Sequence, residues 1–232
     1  MISNKWSRRE LKREVIELLG SQDLDQALDA LCRIPARQVI NTLISLLPSP
    51  GPLRWAAVTA MGAVVAILAD REMESARVIM RRLMWQLNDE SGGIGWGCPE
   101  AMGEIMACHE GLAEEYAHIL ISYVRKDGAF LDYEPLQRGA VWGIGRLGQG
   151  KPHLLEEAVP HLAALLDAED TTVRGLSAWA LGIIGAYGER SRINSLIRDD
   201  AELEVYLGRT LRLCRVKDLA EEALREMGNA RK

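Results

Sequence analysis

The 232-residue sequence is short of several things. It has a single phenylalanine, four histidines and few lysines. No cysteine pair has C-x-x-C spacing, which argues against a zinc ribbon. Cys32, Cys98, Cys108 and Cys214 are expected as reduced, buried structural thiols. No apolar run reaches the roughly 20 residues of a membrane span. The longest, Ala56–Ala69, is shorter and contains Gly62. Met1–Arg13 is polar and lacks the apolar core of a signal peptide, so a cytoplasmic location with no membrane contact is expected. Neither half is basic: residues 1–110 carry 12 Lys+Arg against 14 Asp+Glu, and residues 111–232 carry 16 against 19. That balance disfavours a surface that tracks phosphates.

What is present is helical periodicity. Ile40, Leu43, Ile44 and Leu47 follow the i, i+3, i+4, i+7 rule, as do Ala76, Ile79, Met80, Leu83 and Leu87. Ser7 with Glu10, and Asp23 with Gln26, read as capping boxes. The Pro48–Pro52 stretch must turn, because proline removes donors and biases its predecessor away from helix. These signals predict helices over 7–20, 24–34, 36–48, 53–69, 73–88, 98–109, 112–126, 134–148, 155–167, 171–186, 190–198, 202–213 and 217–228, with no strands.

Several of these helices share one frame. Arg54-Trp-Ala-Ala-Val-Thr-Ala-Met-Gly62 aligns with Arg174-Gly-Leu-Ser-Ala-Trp-Ala-Leu-Gly182, and Gln137–Gly145 fits it with its Arg shifted by one. Trp142 and Trp179 share a repeat position and are expected in the core. Gly145 and Gly182 are 37 residues apart, and a period near 40 with two helices per unit signals an α-solenoid. Small residues in the frame let helices approach closely, and each hairpin leaves apolar surface that only its neighbour covers. The fold expected is an all-α superhelix of about five helix pairs in one domain, with repeats over 36–213 between caps at 1–35 and 214–232.

Val173–Gly185 resembles the HEAT repeat, most closely the short HEAT-like units named from phycobilisome lyases. The resemblance implies the solenoid architecture. It also raises a lyase- or chaperone-like subunit acting on a tetrapyrrole-bearing protein, although no catalytic motif is visible. Of two other HEAT-like enzyme families, the first is set aside and the second, a DNA glycosylase, is kept as the least favoured alternative. Deoxyhypusine hydroxylases hold iron with repeated His-Glu pairs, and this chain has one, His109-Glu110. Alkylation-repair glycosylases use a basic groove with aromatics and an acid, and the charge here opposes that. Gly143-Ile-Gly145-Arg-Leu-Gly148 matches G-x-G-x-x-G without a preceding strand, so it reads as helix.

One stretch breaks the repeat. Asn88–Gly97 places two acids and a Trp in a glycine-rich loop where a tight turn would suffice. It reads either as a structured insertion, with Trp96 plugging a seam and Asp89 or Glu90 capping a helix, or as a recognition loop. Trp85 and Asp89 share a helix face, and Glu100, Glu104 and Cys108 line another. Arg138, Arg146, Arg174, Arg209 and Arg212 fall on second helices of their pairs. They form ladders to neighbouring acids or a site for an acidic partner. The leading expectation is a non-catalytic scaffold, with no cofactor and no metal, that binds a protein partner. Its candidate contacts are Trp85, Asn88, Asp89, Glu90, Trp96, Glu100, Glu104, Arg138 and Arg174.

Overall fold

The computed structural model describes residues 7–88 and 94–229. Twelve α-helices and one β-hairpin lie within them. Helices α1 (Arg8–Leu19) and α2 (Leu24–Cys32) open the chain. Five pairs follow: α3 (Ala36–Leu46) with α4 (Gly51–Arg71), α5 (Met73–Leu87) with α6 (Cys98–Cys108), α7 (Glu110–Ser122) with α8 (Glu134–Gly148), α9 (Val159–Ala164) with α10 (Thr171–Ile184), and α11 (Arg190–Ser195) with α12 (Val216–Asn229). The second members pack in series, α4 on α6, α6 on α8, α8 on α10 and α10 on α12. This inner row is the spine of the superhelix.

Local chemistry sets the boundaries. Ser7 and Glu10 close a full capping box at α1, with Ser7 N–H donating to Glu10 Oε2 at 2.8 Å and Glu10 N–H to Ser7 Oγ at 3.2 Å. Asp23 caps α2 through Gln26 N–H at 2.9 Å. Gly185 ends α10 in the left-handed region at φ 77°. Ile40, Leu43, Ile44 and Leu47 are buried, as are Ala76, Ile79, Met80 and Leu83. The frame glycines also act as expected. A Cβ on Gly62 would lie 2.7 Å from Glu104 Cγ, one on Gly145 2.0 Å from the Trp179 ring, and one on Gly182 2.4 Å from Ala223 Cα. The same frame position thus faces the next inner helix each time. Helix α4 spans 21 residues, more than the sequence suggested, and is long and apolar enough to cross a membrane. Most of that apolar surface is buried inside the solenoid.

The segment 202–213, expected as a helix, is instead a hairpin. Strands β1 (Glu202–Leu207) and β2 (Thr210–Arg215) pair antiparallel, with Leu207 opposite Thr210. Gly208 and Arg209 form the two-residue turn, both at positive φ (57° and 62°), the conformation that matches strand twist. The alternation Glu-Leu-Glu-Val explains the strand: Leu203 and Val205 are buried while Glu202 and Glu204 are exposed. Helix α12 takes the inner place, packed on α10 and α11. Arg209 and Arg212 sit on the turn and β2, not on an inner helix. Arg209 pairs with Asp25, and Arg212 pairs with Glu222 at 2.9 Å.

Candidate functional site: the concave groove and its hairpin

The hairpin lies across the inner helix row. Tyr206 of β1 stacks on Trp55 of α4, with ring centroids 4.7 Å apart and planes 11° apart. Its hydroxyl is 3.1 Å from Thr59 Oγ1. Its backbone carbonyl accepts from Trp142 Nε1 of α8 at 2.6 Å. Trp55 and Trp142 meet at 4.8 Å. Leu203 fills the space over Gly175 of α10, and the Arg209–Asp25 pair ties the tip to α2. One short hairpin therefore touches α2, α4, α8 and α10.

Spaces remain on either side of Tyr206. The larger, about 380 Å³, has walls from Arg54 and Trp55, Trp96, Glu100, Arg138 and Trp142, and Glu204 and Tyr206. The smaller, about 210 Å³, lies between Thr59, Glu104, Arg146, Trp179 and the hairpin tip.

The acids of α6 form its floor. Gly97, at φ 74°, is the N-cap of α6, and a Cβ there would lie 3.0 Å from the Leu47 carbonyl oxygen. That close approach sets the entry of α6 and places Glu100 and Glu104 toward α4 and α8. Arg54 Nη2 donates to Glu100 Oε1 at 2.6 Å. Arg146 grips Glu104 with two nitrogens, at 2.6 and 3.1 Å. Glu100 is only 2% exposed, and its carboxylate lies where a Gly139 side chain would be. Burial raises its pKa above the ordinary glutamate value, outweighing the opposing pull of Arg54. Among the described residues, neither Glu100 Oε2 nor Arg54 Nε has a hydrogen-bond partner.

The raised Glu100 pKa sets a direction with pH. A carboxyl whose pKa is higher in the folded state contributes stability below its unfolded value, and that contribution is lost as pH rises through the folded one. Glu100→Gln mimics the protonated acid. Its melting temperature relative to wild type is expected to rise as pH increases above the ordinary glutamate range. A difference independent of pH would mean that Glu100 titrates normally.

The other arginines form inter-repeat ladders. Arg138 chelates Asp170, the N-cap of α10, whose other bond comes from Val173 N–H at 2.8 Å. Burial alone would raise the Asp170 pKa, but Arg138 and that N–H hold it below the usual carboxylate range. Arg174 donates to Asp199 at 2.7 Å and to the Ala168 carbonyl at 2.6 Å. Of the expected ladder members, Arg138, Arg146 and Arg174 are each bonded to an acid of a neighbouring segment.

The structure brings Trp96, Glu100 and Arg138 to one cavity, with Glu104 beside the second. It does not bring Trp85 there: Trp85 is 69% exposed on α5 and is not a wall of either space. Asn88 caps α5 and faces a separate shallow cleft with Lys126 and Phe130. Arg174 is outside both cavities. Asp89 and Glu90 lie outside the described residues. Trp96 packs edge-on against Tyr133 at 5.6 Å. Trp142 and Trp179 are buried, as their repeat position implied. His109 caps α7 by accepting from Leu112 N–H at 3.2 Å, and the G-x-G-x-x-G match lies inside α8. Cys98 is buried, with its thiol pKa pushed up to about 12 by that burial. Cys108, at the end of α6, is exposed, and Cys32 and Cys214 are half-buried, so the expectation of four buried thiols holds only for Cys98.

Sequence reasoning missed Arg54, Trp55, Thr59 and Tyr206 as groove residues. The signal available for the first two was their place in the repeat frame. Tyr206 could be found only by recognising the strand.

The HEAT-like repeat family matches residues 134–184, which run from α8 through α10. The match is to the repeat in general and does not single out the phycobilisome-lyase kind. Similar solved structures include a designed armadillo repeat protein, at 20% identity and TM-score 0.50 over 94% of this chain and 100% of that one. Another designed armadillo repeat protein, in complex with the peptide (KR)4, shows 19% identity and TM-score 0.51, covering 94% of this chain and 99% of that one. An engineered protein gives 16% identity and TM-score 0.51 over 94% and 96%. No curated protein sequence matches the chain. The chain thus carries a HEAT-like repeat at 134–184 within a continuous row of inner helices, and its fold is a superhelix of the armadillo kind.

Proposed function

We propose that this chain is a non-catalytic, cytoplasmic interaction module that takes a segment of a partner protein on its concave face, at the cavity bounded by Trp96, Arg138 and the hairpin. One observation carries the reading. The inner helices already hold an extended strand there, by an aromatic slot and an indole N–H donated to a backbone carbonyl. A groove with those contacts prearranged binds extended chain at little ordering cost. The arginines around it are bonded to carboxylates, which favours a protein over a polyanion. A similar fold carries a peptide, so peptide binding suits the architecture. Among the described residues of the loop 88–97, Trp96 lines the cavity and is the candidate anchor.

The test is affinity capture from the native cell with wild type, Trp96→Ala and Arg138→Ala. An aromatic anchor of this kind is expected to weaken capture by about thirtyfold when truncated. Equal partner recovery by all three proteins would remove the cavity as the docking site.

A further inference from the structure

The hairpin covers the groove without completing it. Its polar bonds to the inner row are the hydroxyl contact of Tyr206 with Thr59, the carbonyl bond from Trp142 and the Arg212–Glu222 pair with α12, beside the stack of Tyr206 on Trp55. Open space lies on both sides of Tyr206. Beneath the larger space a buried carboxylate oxygen, Glu100 Oε2, has no donor among the described residues, and an orphaned buried acceptor is a costly thing to leave in place. The hairpin's outer surface is equally unfinished. Strand β2 is mostly exposed, and Leu213 is 69% exposed. The tip is held by the Arg209–Asp25 pair, which is solvent-exposed on both sides and therefore weakly binding. The base is firmer: Val216 N–H donates to the Ala201 carbonyl and Lys217 N–H to the Asp199 carbonyl, each at 3.0 Å. Between base and tip, Leu203, Val205 and Tyr206 are buried against the inner row, so the hairpin is a seated element with open space on two sides.

We propose that the groove beneath the hairpin is a binding site for an extended, tyrosine-bearing segment of a partner protein, and that the hairpin is its built-in occupant, which swings out about its base when the partner enters. The inference rests on the concave-face reading above and names the chemistry of the ligand. The seat of Tyr206 specifies it: a flat ring to lie on Trp55, a hydroxyl to reach Thr59, and a backbone carbonyl to accept from Trp142. An incoming segment with a neighbouring donor would also bond Glu100 Oε2, which the hairpin leaves unpaired. That difference is what lets a partner compete with a tethered occupant.

The probe is a fluorescent synthetic peptide with the sequence of residues 202–215, alongside the same peptide with Ala in place of its tyrosine. It is titrated against the full chain, wild type and Tyr206→Ala. The variant keeps Trp55, Thr59 and Trp142 but loosens the resident hairpin. It is expected to bind the tyrosine peptide at least about tenfold more tightly than wild type, because its competent state is more populated. Neither protein is expected to bind the alanine peptide. A helical, folded variant that binds neither peptide, or both equally, overturns the proposal. Should Tyr206→Ala not fold, amide hydrogen exchange on wild type decides: hairpin amides are expected to exchange faster than those of α8 and α10 through local opening. Exchange as slow as in those helices means the hairpin does not leave. That result would defeat this inference while leaving the capture experiment with Trp96→Ala to judge the concave-face reading by itself.

Discussion

Trp142→Ala is expected to lower stability by about 3–5 kcal/mol, the range for truncating a large buried aromatic. Trp142 is 3% exposed, touches Trp55, and supplies the indole N–H that holds the Tyr206 carbonyl. For a chain of this size the fall in melting temperature should be roughly 6–20 °C. The shape of the transition should change as well. In a solenoid each repeat contacts its neighbours, so stability is close to a sum of local terms and the ends can fray independently. Here the hairpin joins helices that are not neighbours, since Thr59 and Tyr206 are 147 positions apart in sequence and still bonded. It acts as a cross-brace that makes the array melt together. Cutting it at Trp142 should therefore broaden the denaturant transition and reduce its slope. Trp142→Phe separates the two contributions. It keeps most of the ring but strands the Tyr206 carbonyl, at about 1–3 kcal/mol. It should also expose the hairpin to trypsin at Arg209 and Arg212. An alanine variant that melts as sharply as wild type, within 2 °C by the same scale, would refute the brace.

The helical part of this architecture was readable because its determinants are local. The Ile40–Leu47 face repeats with the period of a helix, the Ser7–Glu10 box acts within one turn, and the Gly62, Gly145 and Gly182 frame repeats the same packing demand against each next helix. The hairpin was not readable in the same way. Its turn is Gly208-Arg209, not Asn-Gly or Asp-Gly, and an arginine at φ 62° is rare. Strand β2 buries little, so it shows no alternation to betray it. Only Glu-Leu-Glu-Val in β1 carried the two-residue period, and it sat among helices that made a thirteenth seem natural. The groove followed the same division. Glu100 and Glu104 were recognisable as one face of α6 from their spacing. Their partners Arg54 and Arg146 come from two other helices, and that pairing exists only once the inner row is stacked. Trp85 was a candidate contact from its helix face shared with Asp89, whereas the groove is built on Trp55, whose stacking partner is a tyrosine brought from the far end of the chain.

The second large effect belongs to Gly103→Ala. Gly103 of α6 faces Gly143 of α8 where the two helices cross. A Cβ on Gly103 would stand 2.3 Å from Gly143 Cα and 2.7 Å from its carbonyl oxygen. Both are backbone atoms, so no rotamer change relieves the contact and the helices must part. Helix propensity alone favours alanine over glycine by about 1 kcal/mol. Overpacking a close seam opposes it by about 1–3 kcal/mol, sometimes more. The clash should win here, because the same seam carries the Glu100–Gly139 approach and the two-nitrogen Arg146–Glu104 bond, and separation strains all three. A net loss of about 1–2 kcal/mol is expected from thermal or urea unfolding. Gly228→Ala is the internal control. Gly228 lies exposed near the end of α12 with nothing within 4 Å of its would-be Cβ, so propensity acts unopposed and the change should be neutral to stabilising by up to about 1 kcal/mol. Opposite signs for the same chemical change would show that glycine at the inner crossing is there for contact distance between backbones. Equal signs would mean that α6 and α8 do not approach as closely in solution, and the floor that positions Glu100 would have to be rebuilt.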